Sequence, residues 1–262
     1  MFHVEHDVFP KNRRRACSTW NRRDPTGVAP SKTDRVAGVI PEALERDMAM
    51  VLERMPGLCP DATPAQLVEW GRQLSCYVRL LFAWSGRTNL VSEQDRLGLA
   101  SRHLLPSLAM RGVVLQYPRG IVADLGSGSG LPGVPLKITL PASAFQLIEA
   151  RRRRANFLRE VVRKLALEQV EVVNSRVEDW VCPDEKRPHL VVSRATMAVN
   201  ELVHYCAAIL RPGGRVLYRS PSGGSDCRAD DSDSPFTVDT GVQDSEGRNI
   251  HIAVLSPDAS SA

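Results

Sequence analysis

The sequence predicts an α/β fold in which a parallel sheet follows an N-terminal layer of helices. Three observations predict it: helical apolar spacing before residue 110, short strand-like runs alternating with helices from residue 121 onward, and a glycine-rich turn after the first of those runs. Strands and helices that alternate at this spacing form right-handed βαβ units with parallel strands. A chain of 262 residues can bury a full core.

The composition excludes several classes of protein. No run of about 18 apolar residues occurs, so we expect no transmembrane helix, and residues 1–10 lack the apolar segment of a secretory signal. The 6 cysteines lie far apart without a CxxC pair, which argues against a metal site and a disulfide scaffold. We therefore expect a metal-free protein in the reducing cytoplasm. A monomer is the expected oligomeric state, although composition does not determine it.

The domain organisation follows from changes in composition and apolar periodicity along the chain. A basic arm without sustained periodicity precedes a single domain that contains the helical layer, the sheet and a loose acidic insertion. The predicted bounds are 1–38 for the arm, 39–262 for the domain, 39–115 for its helices, 120–220 for the core of the sheet, 221–248 for the insertion and 249–255 for a final strand.

Each element has its own signal. Thr63 and Pro64 are typical N-cap and first-turn residues of a helix that runs to about Trp84, an earlier helix closes at Gly57, and a third is predicted over Gln94–Met110. The remaining runs are read as strands or helices by their apolar period. The strands are Ile121–Leu125, Phe145–Glu149, Val170–Asn174, Leu190–Ser193, Arg215–Arg219 and Asn249–Leu255, and the helices are Arg151–Leu165 and Val199–Leu210.

The formal net charge of +4 hides a segregation of charge along the chain. Residues 151–164 carry 7 basic and 1 acidic side chains, residues 1–35 have a net charge of +4, and residues 221–248 hold 2 basic and 7 acidic side chains. A compact basic block can orient a polyanion. A solvated helix face is the alternative interpretation.

The most informative segment is the turn after the first strand. Residues 124–133 read Asp-Leu-Gly-Ser-Gly-Ser-Gly-Leu-Pro-Gly. Glycines let the backbone turn sharply and approach a ligand, which in such a sheet binds at the carboxyl ends of the strands. The next strand ends in Glu149, whose carboxylate suits the two hydroxyls of an adenosine ribose. Together these features predict a bound nucleoside.

Two nucleoside ligands compete for this loop. Gly128, Gly130 and Gly133 match the dinucleotide fingerprint, which requires a pyrophosphate at a helix N-terminus. Asp124 would repel that pyrophosphate, whereas it can order the loop or meet the amino acid end of S-adenosylmethionine. The acid therefore favours S-adenosylmethionine, and a dinucleotide or a glycine turn without ligand stays open.

Four further segments carry a family resemblance, together with the Gly-Leu-Pro-Gly end of the loop. They are Phe-Ala-Trp-Ser-Gly-Arg-Thr-Asn-Leu at 82–90, Arg-His-Leu-Leu-Pro-Ser-Leu at 102–108, Asn-Ser-Arg-Val-Glu-Asp at 174–179 and Ser-Arg-Ala at 193–195. In these segments the chain resembles the bacterial 16S rRNA (guanine-N7)-methyltransferases, the RsmG/GidB family.

The resemblance implies a Rossmann-like class I S-adenosylmethionine-dependent methyltransferase sheet and methyl transfer to N7 of a guanine in 16S rRNA of the small ribosomal subunit. It places Gly126 and Leu131 at the methionine side, Val177 and Glu178 at the adenine, and Arg194 at the target-base end. With the loop and the ribose acid, the predicted cofactor-binding residues are Gly126, Gly128, Leu131, Glu149, Val177, Glu178 and Arg194.

Guanine N7 carries an in-plane lone pair, so its methylation requires no general base. No catalytic residue is assigned; Arg194 and His103 are candidates for positioning, and we interpret His103 as a positioning or packing residue rather than a proton carrier. The RNA backbone needs cationic contacts. Arg152, Arg159 and Arg163, at i, i+7 and i+11, are predicted to form one RNA-binding stripe.

Two residues depart from the family pattern: Pro106 stands where an Asp is usual, and Ser220 where a Gly is usual. They keep open a non-catalytic RNA-binding protein with the same fold. The other alternative is an NADP-dependent oxidoreductase, against which the sequence offers no hydride-transfer pair of the Tyr-x-x-x-Lys kind.

Overall fold

The computed structural model describes residues 40–117, 120–194, 199–219, 241–243 and 249–255. Within them, seven strands form one sheet. The strands are β1 (Ile121–Leu125), β2 (Ala144–Ile148), β3 (Val170–Val173), β4 (Leu190–Arg194), β5 (Arg215–Arg219), β6 (Gly241–Gln243) and β7 (Asn249–Leu255).

The strand order is β3-β2-β1-β4-β5-β7-β6. Strands β1 to β5 are parallel, whereas β7 is antiparallel to β5 and to β6. The order reverses between β1 and β4, and such a switch point opens a crevice at the carboxyl ends of the strands.

Seven α-helices are described, four before the sheet and three between its strands. They are α1 (Glu42–Leu58), α2 (Pro64–Thr88), α3 (Leu105–Ala109), α4 (Arg111–Val114), α5 (Gly133–Thr139), α6 (Arg152–Lys164) and α7 (Val199–Ile209). The predicted α/β fold with an N-terminal helical layer is confirmed. The bounds of β1, β5 and β7 are those predicted. Strands β3 and β4 differ from the predicted bounds by one residue at their carboxyl ends, and β2 is shifted by one residue at both ends.

The central parallel strands β1 and β4 are buried on both faces. In β1, Val122 packs into one apolar cluster, while Ala123 and Leu125 pack into another that also contains Leu202 of α7. Strand β4 repeats this, with Val192 on the first side and Val191 on the second. Successive side chains point to opposite faces of a strand, so burial on both sides gives the continuous apolar runs seen in the sequence.

The N-terminal helices pack on the sheet through α6 and the glycine loop. Leu74, Tyr77 and Leu81 of α2 lie in one buried cluster with Phe157 and Leu158 of α6. The Trp84 and Phe157 rings extend the contact, with centroids 5.5 Å apart. This layer therefore covers the part of the sheet where the ligand crevice opens.

Helix α2 begins as the sequence predicts. Thr63 Oγ1 accepts a hydrogen bond from the Gln66 N–H at 3.3 Å, and the Gln66 side chain accepts from the Thr63 N–H at 2.9 Å. The two bonds form a reciprocal capping box. The helix continues beyond the predicted end at Trp84 to Thr88.

The prediction of one helix over Gln94–Met110 is wrong. The segment is divided into a 3₁₀ turn at Glu93–Asp95, a π-helical turn at Ala100–Leu104, and α3. The Asp47 carboxylate of α1 caps the second piece by accepting hydrogen bonds from the N–H groups at its start, at 2.7 and 3.1 Å. Because the capping residue belongs to another helix, the sequence around residue 100 contains no signal of this helix start.

Helices α4 and α5, the 3₁₀ turn at Asp184–Lys186 and strand β6 were not predicted. All seven residues of α5 are buried, so the helix has no polar face and no amphipathic period. Strand β6 occupies residues 241–243 of the segment predicted to be loose. The rest of that segment, the basic arm over 1–38, and Ser220 lie outside the described residues.

The described helices contain no candidate for a membrane span, because none combines sufficient length with sufficient apolar character.

Replacing the Thr63 cap tests how much the helical layer depends on it. Thr63→Ala is expected to lower the free energy of unfolding by about 1 kcal/mol, because the Gln66 N–H loses its acceptor. Urea denaturation monitored by circular dichroism measures the change. Thr63→Ser keeps the hydroxyl and should remain within about 0.5 kcal/mol of the wild type; equal losses in both variants would contradict the capping role.

Candidate cofactor and substrate site

A cavity of about 420 Å³ opens at the carboxyl ends of the parallel strands, beside the switch point between β1 and β4. Its walls come from the glycine loop, the ends of β2 and β4, and the segment after β3. The seven predicted cofactor residues all line it: Gly126, Gly128, Leu131, Glu149, Val177, Glu178 and Arg194.

The loop reaches its shape through backbone that only glycine tolerates. Gly130 has φ +91°, and a Cβ built there would lie 2.7 Å from Cγ2 of Val134. Both the positive φ and the lack of space exclude a side chain. Tyr77 of α2, fully buried, donates its hydroxyl to the Ser129 carbonyl at 2.7 Å and holds the loop from the helical side.

Two carboxylates hold the loop from the sheet side. Asp124 Oδ2 accepts a hydrogen bond from the Gly133 N–H at 3.0 Å, and Glu149 Oε2 accepts from the Gly128 N–H at 2.8 Å. Glu149 Oε1 accepts from the Arg151 N–H at 2.7 Å, so this carboxylate also joins the loop to the start of α6. The loop amides that a pyrophosphate would use therefore donate to negative groups.

Asp124 is the most perturbed acid of the site. Burial raises the pKa of its carboxyl to about 7, against the smaller lowering effects of the Gly133 and Ser127 hydrogen bonds and of Arg194. Among the described residues, Oδ1 of Asp124 is buried without a hydrogen-bond partner. A buried carboxylate of this kind is stabilised by a positive charge placed near it.

Glu149 directly follows the last residue of β2, where the sequence places the ribose-binding acid. It is 5% exposed but lines the cavity. Asn174, at the end of β3, donates its side-chain N–H to the Glu149 carbonyl at 2.8 Å and fixes the backbone there. Each carboxylate oxygen accepts one hydrogen bond from the backbone and keeps acceptor capacity for a ribose hydroxyl.

Arg194 and His103 meet at the other end of the cavity. Arg194 ends β4, and one terminal nitrogen of its guanidinium, Nη1, lies 2.9 Å from His103 Nδ1. Burial, with the positive charge of Arg194 as the next cause, lowers the pKa of His103 to about 4. The imidazole is therefore neutral at pH 7 and already occupied by an arginine, which fits the interpretation of a positioning residue.

The sequence missed Arg154 as a cavity residue. Its guanidinium lines the cavity, and its Nη2 donates to the Asn89 carbonyl, at the end of α2, at 3.4 Å. Leu90, the next residue, also lines the cavity. Four successive arginines precede Ala155, and only the phase of the helix selects which of them turns inward, so the sequence offers no signal that distinguishes them.

The predicted RNA-binding arginines lie on the exposed side of α6 but differ in their surroundings. Arg163 is paired with Glu160 at 3.0 Å, and Arg159 donates to Asn156 at 3.0 Å. Within the described part of the chain, Arg152 has neither a hydrogen bond nor an ion pair for its side chain, and it begins the helix beside the cavity.

Pro106, the first departure from the family pattern, is buried in the first turn of α3. It has no N–H to donate to the carbonyl of Arg102, and the preceding turn is π-helical, with the Leu105 N–H bonded to the Ala100 carbonyl. Pro106 does not belong to the lining of the described cavity.

No group of three or more His, Cys, Asp or Glu side chains in the described ranges could hold a metal ion. The residues fit S-adenosylmethionine instead. Glu149 and Glu178 line the cavity with carboxylate acceptors of the kind that ribose hydroxyls and an exocyclic amine require. Asp124 does not line the cavity, but its buried Oδ1 has no hydrogen-bond partner among the described residues. The fold and this cavity define a class I S-adenosylmethionine-dependent methyltransferase.

Comparison with known proteins identifies the family. A family model described as GidB, rRNA small subunit methyltransferase G, matches residues 71–231. A protein named ribosomal RNA small subunit methyltransferase G from Escherichia coli O17:K52:H18 is 36% identical over 166 residues, 63% of this chain and 77% of that protein. Its namesake from Shigella flexneri is 37% identical over the same coverage. The chain belongs to this methyltransferase family.

Among solved structures, the chain is similar to a putative S-adenosylmethionine-dependent methyltransferase from Methanococcus maripaludis. It aligns with a TM-score of 0.46 at 12% identity and covers 71% of this chain and 94% of that chain.

The buried acid makes a prediction about cofactor binding. The pKa of Asp124 is about 7, so the ionised fraction of its carboxyl group increases between pH 6 and pH 8. We expect the sulfonium cation of the cofactor to bind best when Asp124 is ionised. The affinity for S-adenosylmethionine should rise by up to about tenfold over this range, more than the affinity for S-adenosylhomocysteine, which lacks the sulfonium charge. Isothermal titration calorimetry measures both.

Asp124→Asn is the matched control, because the amide oxygen can still accept from the Gly133 N–H. The variant should bind both ligands with the same pH dependence. If Asp124→Asn retains the wild-type difference in pH dependence between S-adenosylmethionine and S-adenosylhomocysteine, the charge of Asp124 does not stabilise the sulfonium.

Proposed function

We propose that this chain transfers the methyl group of S-adenosylmethionine to N7 of a guanine in 16S rRNA of the small ribosomal subunit. The observation that carries the proposal is the cavity at the switch point, lined by the glycine loop, Glu149 and Arg194, in a chain of this methyltransferase family. Glu149 and Glu178 would hold the nucleoside of the cofactor, and Gly126, Gly128 and Leu131 its methionine side.

Bound S-adenosylmethionine supplies an electrophilic methyl group on a positively charged sulfur. The protein has to align guanine N7 with that methyl group and does not have to remove a proton first, since N7 carries a lone pair in the neutral base. The residues of the site therefore act by holding and orienting both partners, an effect that can lower the barrier by several kcal/mol. Arg194 and His103 are proposed to orient the target base.

The alternative of an NADP-dependent oxidoreductase is not supported. Its pyrophosphate would need the N–H groups of Gly128 and Gly133, which donate to Glu149 and Asp124. Two carboxylates at this distance from a pyrophosphate would repel it, and the family is one of methyltransferases.

The RNA is proposed to approach along the start of α6. An α-helix rises about 1.5 Å per residue, so Arg163 lies about 16 Å further along the axis than Arg152. Arg151, Arg152 and Arg153 are exposed beside the cavity, as is Arg176 in its lining. These four side chains are placed to contact phosphates next to a nucleotide inserted into the cavity, and Arg159 and Arg163 would contact more distant ones.

The chain is proposed to act as a monomer in the cytoplasm. The cytoplasm is proposed because the substrate is ribosomal RNA. Light scattering coupled to size exclusion, with and without S-adenosylmethionine, measures the mass of the particle.

Methyl transfer tests the function directly. Small subunits from cells that lack this protein should accept tritium from methyl-labelled S-adenosylmethionine, and nuclease digestion of the 16S rRNA should yield labelled 7-methylguanosine. Subunits from wild-type cells, already methylated, are the control and should accept little. Cofactor binding without label in the rRNA would favour the non-catalytic RNA-binding alternative. Label in another base would contradict the specificity.

A pair of neutral substitutions tests the RNA surface. Arg152→Gln should weaken binding to the unmethylated subunit and reduce the slope of log K against log salt concentration by about one, because one phosphate contact is lost. Arg163→Gln, whose native side chain is paired with Glu160, should have a smaller effect. Filter binding at several salt concentrations measures both, and S-adenosylmethionine affinity should not change. A larger effect at Arg163 would reverse the proposed orientation of the RNA.

A further inference from the structure

We propose that Asp95 and His103 form a positioning relay, in which Asp95 fixes the tautomer of His103 and His103 directs the Arg194 guanidinium into the substrate end of the cavity. The inference rests on the proposed methyl transfer and extends it to residues that lie outside the cofactor contacts. It assigns a role to the irregular segment between α2 and α3.

The contact between His103 and Arg194 sets the protonation of the ring. A guanidinium has only donors, so the Nδ1 atom at 2.9 Å from Arg194 Nη1 must be the acceptor. An imidazole that accepts at Nδ1 and is neutral carries its proton on Nε2. The geometry alone therefore selects one tautomer of His103.

Asp95 lies where it stabilises that tautomer. Its Oδ2 atom is 3.5 Å from His103 Nε2 and is the acceptor that faces the Nε2 proton. The carboxylate is itself held in place, since Ser92 Oγ donates to Oδ2 at 2.7 Å and Arg102 Nη1 donates to Oδ1 at 2.9 Å. These two hydrogen bonds lower the pKa of Asp95, so it stays ionised.

The electrostatics keep the relay in this state. Burial is the largest cause that lowers the pKa of His103, and Arg194 the next, while Asp95 acts in the opposite direction. A protonated ring would place an N–H donor against the guanidinium and break the contact. The same burial lowers the pKa of Arg194, although a guanidinium remains charged at neutral pH.

The backbone supports the relay from outside the site. His103 lies in the π-helical turn Ala100–Leu104, whose first N–H groups are capped by the Asp47 carboxylate of α1. Such turns are rare in proteins as a whole, and those that occur are often found at functional sites. The turn places the His103 imidazole of the helical layer against Arg194 at the end of β4. Among the described contacts of Arg194, no residue of the sheet provides such an acceptor.

Among the described residues, His103 is the one hydrogen-bond partner of the Arg194 side chain, so the relay leaves its other N–H donors for the target nucleotide. Guanine presents two acceptors, O6 and N7, on one edge. N7 must remain open for the methyl group, so O6 is the acceptor on that edge that Arg194 can bind during transfer. A guanidinium held by His103 would thus bind the base without covering the reacting atom.

Two amides at position 103 separate positioning from other roles. In His103→Asn the side-chain oxygen takes the place of Nδ1 and can accept from Arg194, whereas in His103→Gln the amide takes the place of Nε2 and leaves the Nδ1 position empty. With the methyl-transfer assay, His103→Asn should retain kcat within about threefold, while His103→Gln and His103→Leu should lose about 10- to 100-fold. Their KM for S-adenosylmethionine should not change.

Equal losses in the Asn and Gln variants would overturn the relay, because a proton carrier or a packing residue would be impaired by both. Thermal melting of all variants is the control for folding. Asp95→Asn, which keeps an acceptor, should be less impaired than Asp95→Ala, and the reverse order would contradict the role of Asp95.

Nitrogen-15 NMR of histidine-labelled wild-type protein tests the relay independently of catalysis. The resonances missing from His103→Asn identify the ring, which at pH 7 should show an unprotonated Nδ1 and a protonated Nε2. The opposite tautomer or an imidazolium would overturn the proposal even if the enzyme is active. Absence of methyl transfer by the wild type would instead contradict the proposed function.

Discussion

The site depends on two carboxylates that hold one glycine loop. Asp124, at the end of β1, and Glu149, just after β2, accept the N–H groups of Gly133 and Gly128 and so fix the loop against the sheet. Neighbouring parallel strands bring both acids to the same edge. Because the loop donors are bonded to negative groups, the cavity suits a cationic ligand with ribose hydroxyls and opposes a pyrophosphate.

The N-terminal helical layer contacts the cofactor cavity at three points. Tyr77 donates a hydrogen bond to the Ser129 carbonyl of the glycine loop, and Arg154 donates to the Asn89 carbonyl at the end of α2. His103 contacts Arg194 at the opposite end of the cavity. Each of these bonds joins the helical layer to the glycine loop, to α6 or to the end of β4. A change in the position of the helices would therefore alter the cavity at more than one point.

The basic residues act by location rather than by number. A formal net charge of +4 says little about partners, whereas the arginines at the start of α6 stand beside the cavity mouth. Arg163, at the far end of the same helix, is paired with Glu160. The proposed RNA contact is therefore placed at the start of α6, next to the cavity.

Features encoded by local patterns could be predicted from the sequence alone. The period of apolar residues predicts the bounds of β1 and β5, Thr63 and Pro64 predict the start of α2, and the glycine loop with Glu149 predicts the position of the cofactor cavity.

Features that depend on distant partners could be seen only in the folded protein. The division of the segment over Gln94–Met110 requires the Asp47 carboxylate of another helix, and the turn of Arg154 into the cavity depends on helix phase. The neutral state of His103 requires burial beside Arg194, which is 91 residues away in the chain. Propensity and spacing act over a few residues, whereas capping, desolvation and charge act through space.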